Sequence, residues 1–99
     1  FKKNQKVKIE GASEVRKILE NNPKNTSANY YLAAIYYSKG LYDKAYNHAK
    51  IVADLYPFGY DGTLLFAWTN LKTGRLREAE ILFNTVLLLS PDDVSAKEG

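Results

Sequence analysis

The chain has no cysteine and no methionine, and its 99 residues include one tryptophan, one histidine and three prolines. Without cysteine there can be no disulfide and no thiolate metal site, and the compartment stays open. No apolar run approaches the ~18 residues a spanning helix needs. The basic opening from Phe1 to Lys8 is not followed by the apolar stretch of a signal peptide. Because no methionine stands at the start, the chain is read as an excised or processed segment of a longer protein. No metal-ligand set, nucleophile triad or phosphate loop is visible, so neither an enzyme nor a cofactor is expected. His48 is read as a partly exposed residue on the outer side of a helix.

With 45% hydrophobic and 13% aromatic residues, the chain can bury a modest core and is not read as disordered. The mild net charge of +3 is unevenly spread: residues 1–25 carry +4, 26–59 carry +1 and 60–93 carry −2. Solvated helix faces explain this most simply; head-to-tail contact or orientation of a charged partner is the alternative. Lys2, Lys3, Lys6 and Lys8 are read as a solvated end rather than as a nucleic-acid or anionic-membrane site. The abundance of Lys, Asn and Tyr fits an AT-rich bacterial genome.

A period of 34 residues organises the rest. Pro23, Pro57 and Pro91 share it, as do the pairs Gly40/Gly74, Ala33/Ala67, Ala45/Ala79, Val52/Val86 and Leu55/Leu89. Fixed-period self-similarity at this length marks a helical repeat array, in which each unit buries its apolar face against its neighbours. In the first unit the spacing predicts a helix from about Ser27 to Lys39, capped by Thr26 or Ser27, with Leu32, Ala33 and Tyr36 on one face. Gly40 ends it. A second helix runs from Tyr42 to Leu55 with Ala45, Ala49, Val52 and Leu55 in a stripe, and Pro57 forbids its continuation. The next unit repeats this with helices at about Asp61 to Thr73 and Leu76 to Leu89. The organisation read here is the second half of a repeat (1–25), two repeats (26–59 and 60–93) and the start of a further helix (94–99), with apolar, uncapped ends.

These residues resemble the tetratricopeptide repeat (TPR), whose pattern is W-x₂-L-G-x₂-Y, A-x₃-F and P. The first unit reads Asn29-x₂-Leu32-Ala33-x₂-Tyr36, Ala45-x₃-Ala49, Pro57. The second reads Thr63-x₂-Phe66-Ala67-x₂-Asn70, Ala79-x₃-Phe83, Pro91. The implied fold is all-α: a right-handed superhelix of antiparallel helix pairs, about five helices plus a C-terminal stub. Asn29 and Thr63 replace the usual Trp and Asn70 replaces the usual Tyr. Such departures are where a specific function would be sought.

The resemblance implies a module that binds a peptide or partner protein on the inner surface lined by the first helix of each unit. Helical geometry assigns Tyr30, Ala34, Tyr37, Leu64, Trp68, Leu71 and Lys72 to that groove, with Ser27 and Asp61 on the same faces. Trp68 has two readings: a binding aromatic, or core packing against Tyr37. Family members that hold a chaperone's C-terminal carboxylate use Lys and Asn where this chain has Tyr30 and Ala34, which argues against that ligand and for a more apolar one or a helix packed in the groove. The alternative function is self-assembly by stacking of exposed solenoid ends.

Overall fold

A computed structural model describes residues 13–89. A helix covers residues 13–21 (α1). It is followed by α2 (Thr26–Ser38), α3 (Tyr42–Leu55), α4 (Tyr60–Lys72) and α5 (Leu76–Leu89). The expected stub at 94–99, and the earliest part of the N-terminal half repeat, lie outside the described residues.

The glycines act where the period placed them. Gly40 and Gly74 adopt φ of 78° and 83°, a left-handed conformation that costs glycine little. Behind each, a paired hydrogen bond closes the preceding helix. The Leu41 amide donates to the Tyr36 carbonyl at 2.9 Å and the Gly40 amide to Tyr37 at 3.0 Å; the Arg75 amide donates to Asn70 at 2.8 Å and the Gly74 amide to Leu71 at 3.2 Å. This is the Schellman arrangement. The first helix of the first unit is capped by Asn25, whose side chain accepts from the Ala28 amide at 2.9 Å. The expected caps, Thr26 and Ser27, are instead the first helical residues, because only Asn25 reaches an orphan amide. The equivalent Gly59 of the second unit has no side chain with which to cap α4.

Helices pair as α2 with α3 and α4 with α5, while α3 carries the next pair by packing on α4 and α2 touches α4 only lightly. The small residues sit at these crossings: Ala33, Ala45 and Ala67 are fully buried and Ala79 nearly so. Larger side chains there would overpack the crossings by about 1–3 kcal/mol each. Phe83 completes a cluster with Ala67 and Ala79. Between units, Tyr46 of α3 meets Phe66 of α4 with ring centroids 5.3 Å apart, and the Arg75 guanidinium lies 3.9 Å over Tyr46. Leu55, expected in the buried stripe, is half exposed.

The departures from the repeat pattern are structural. Asn29 is buried, and its amide nitrogen donates to the carbonyls of Pro23 and Asn25, each at 2.9 Å. Thr63, one period later, is buried and donates to the Pro57 carbonyl at 3.3 Å. In both units the residue in the place of the usual Trp therefore ties its helix to the proline six positions earlier. Asn70 is buried and donates to Phe66 at 2.8 Å. These side chains satisfy backbone carbonyls in the interior, which gives each departure a structural role. His48 is partly exposed as expected, but it faces α2 rather than the outer side. It is half buried, stacks on Tyr36 at 5.7 Å and lies 2.9 Å from Asn29 Oδ1. The Asn29 nitrogen is already committed as a donor, so its oxygen accepts and His48 Nδ1 carries the proton. Burial holds the His48 pKa below its ordinary value.

Candidate functional site

The two first helices, α2 and α4, stand side by side with little direct contact, and a cleft opens between their N-terminal halves. Its volume is about 520 Å³, within the range of ligand pockets. From α2 come Tyr30, Tyr31 and Ala34, beside Thr26 and Ser27. From α4 come Tyr60, Asp61 and Gly62, preceded by Gly59. The end of α3 supplies Tyr56 and the buried Val52. Gly62 lets α4 lie against α3 here: a Cβ on it would stand 2.6 Å from Val52 Cγ1.

The cleft is rich in phenols and poor in charge. Among the described residues lining it, Asp61 is the one that carries formal charge. Burial, and secondarily the Asp61 carboxylate, raise the Tyr30 pKa, so the phenol stays neutral and the carboxylate lies close to it. The Tyr60 hydroxyl is buried and finds no hydrogen-bond partner among the described residues. A buried hydroxyl left unpaired costs about 1–3 kcal/mol.

The seven residues assigned to the groove fall into two groups. Tyr30 and Ala34 line the cleft. Tyr37 and Lys72 converge at the far end of the helices, where Tyr37 meets the Tyr42 ring edge-on at 5.2 Å and the Lys72 ammonium stands 6.0 Å over the same ring. Burial, then neighbouring Tyr42, raises the Tyr37 pKa. Leu64, Trp68 and Leu71 pack, half buried, against the Ala67–Ala79–Phe83 cluster. Trp68 meets Phe83 edge-on at 4.9 Å and not Tyr37. Tyr31, Tyr56, Tyr60 and Gly62 were not assigned to the site from the sequence. The available signal was a comparison between units: Tyr56, Gly59 and Tyr60 stand where the first unit has Asn22, Asn25 and Thr26.

The arrangement is that of a helical-repeat solenoid with an open face between the first helices of successive units, and the fold is TPR-like. A solved structure described as the first TPR of Spaghetti (RPAP3) bound to the HSP90 peptide SRMEEVD is similar to it, with a TM-score of 0.83 at 18% identity over 96% of this chain and 75% of that one. No family model and no curated protein matches the sequence. Among the described residues, no helix is long and apolar enough to cross a membrane.

Proposed function

We propose that the chain is a non-catalytic interaction module that holds a segment of a partner protein along the α2–α4 face, its two units being residues 26–59 and 60–93. The observation that carries this reading is the cleft of about 520 Å³ between the first helices of the two units, with Tyr30, Ala34 and Asp61 on its walls. Tyrosine brings large contact area with few rotatable bonds and is enriched where binding energy concentrates. The similar solved domain is described with a chaperone peptide bound. Here a phenol and a methyl group stand where chaperone-binding members of the TPR family carry Lys and Asn, so a segment other than a chaperone's carboxylate tail is the expected ligand.

The test is selection of displayed 12-residue peptides on the folded chain. Ala34→Arg places a long charged side chain in the cleft at a half-buried helical position. Peptides that bind the parent and fail on Ala34→Arg, with the circular dichroism spectrum unchanged, support the reading. Enrichment that is equal on both proteins would count against it.

A second reading, stacking between copies, is favoured by α5, where Leu76, Ile81 and Leu88 are 63%, 57% and 83% exposed. Sedimentation at high protein concentration and low salt tests it, and a strict monomer there would dismiss it.

A further inference from the structure

We infer that the cleft between α2 and α4 takes the cationic side chain of a lysine or arginine from the bound partner segment. This deepens the proposed function and rests on it.

Three observations point to the same chemistry. First, Tyr30, Tyr31, Tyr56 and Tyr60 all line the cleft. The faces of aromatic rings attract a desolvated cation through their quadrupole. Second, Asp61 brings a carboxylate to the same wall, with no opposite charge among the described residues lining the cleft. Asp61 is also in the first turn of α4. There it opposes the attraction of that helix end for anions, so the wall favours a positive group. Third, Ala34 adds apolar wall beside the tyrosines, on which a methylene stem can lie. An apolar side chain would gain nothing from the exposed Asp61 carboxylate. An acidic one would face Asp61. A lysine or arginine lays its methylene stem on the tyrosines and Ala34 while its head reaches the exposed Asp61 carboxylate.

The same helix predicts a partner with a charge pattern. Asp61 and Lys72 are eleven positions apart on α4, which is close to three full turns, so both fall on one face about 16 Å apart. Lys72 is exposed. An extended segment rises about 3.3 Å per residue. A basic residue in the cleft then places an acidic residue about five positions away against Lys72. Exposed Lys24, in the turn before α2, is the nearest basic residue in sequence to this end of the face but does not line the cleft.

The experiment compares displayed-peptide selections on the parent, Asp61→Lys and Tyr60→Phe. It is joined by an amide-resolved NMR titration of the parent with n-butylammonium. The expected result is enrichment of Lys or Arg at one fixed position on the parent, falling at least tenfold on Asp61→Lys and holding on Tyr60→Phe, which keeps the ring. The acidic preference five residues away should persist in both variants. Peptides that bind the parent and fail on Ala34→Arg but show no basic preference, or keep it on Asp61→Lys, would overturn the inference and leave the groove reading standing. Failure to select any peptide would overturn both. Amine-induced shifts at Asp61 and Gly62 without a basic preference in the peptides would make the cleft a small-amine site, which also overturns the inference.

Discussion

Replacing Gly62 by alanine sets two effects of known size against each other. Alanine is favoured over glycine within a helix by about 1 kcal/mol, and Gly62 is the third residue of α4, where the gain is smaller. Against this, the new Cβ would lie 2.6 Å from Val52 Cγ1 and 3.7 Å from Val52 Cβ. Val52 is 5% exposed on α3, and a β-branched side chain in a helix has one strongly preferred rotamer, so it cannot swing away. The helices must part instead, which costs about 1–3 kcal/mol. Overpacking wins by roughly 1 kcal/mol, a fall in Tm of about 4–8 °C for a domain of this size. Val52→Ala alone removes two buried carbons and loses about 2 kcal/mol. In the double variant the alanine methyl at 62 enters the space vacated by Val52. The double variant should therefore lose no more than Val52→Ala does, a coupling of opposite sign to the single effects. Urea titration followed by circular dichroism measures all four proteins. If Gly62→Ala proves more stable than the parent, or the losses simply add, then the close approach of α3 and α4 does not fix their spacing.

Two further outcomes follow from the polar interior. Asn29→Asp keeps the shape but presents an acceptor to the Pro23 and Asn25 carbonyls; it should lose at least about 2 kcal/mol, and an unchanged urea midpoint would refute the role given to that amide. His48 is held below its ordinary pKa of 6.5 by burial, so near that value the native state binds fewer protons than the unfolded chain. Its contribution is complete above about pH 6.5 and is lost as the pH falls below it; thermal scans from pH 7.5 to 5 should show this, with a shallower slope in His48→Gln.

The repeat was legible because its period is written in backbone punctuation. Gly40, Gly74 and Pro57 constrain the chain locally, and the alanines mark crossings where nothing larger fits, so α3 and α5 fall on the bounds read from the sequence. The cap at Asn25 was less legible, since Asn25, Thr26 and Ser27 are all competent and only geometry selects among them. Polar residues in core positions were the hardest to interpret. The sequence shows that Asn29 and Thr63 are polar, but not that a proline carbonyl six residues back awaits a donor. The candidate site was half legible: periodicity indicates the face of a helix but not which part of it a neighbour fills. Tyr30 and Ala34 remain at the open cleft, whereas Trp68 is taken up by Phe83.

The ties from Asn29 to Pro23 and from Thr63 to Pro57 are joints of unequal kind. The first is held by an amide that also engages an imidazole; the second is a single hydroxyl bond, and the residue equivalent to His48 there is Leu82. A half-buried group that titrates therefore stands beside one joint and not beside the other. Two units that repeat one backbone thus differ in their response to acid, and the difference lies in the first.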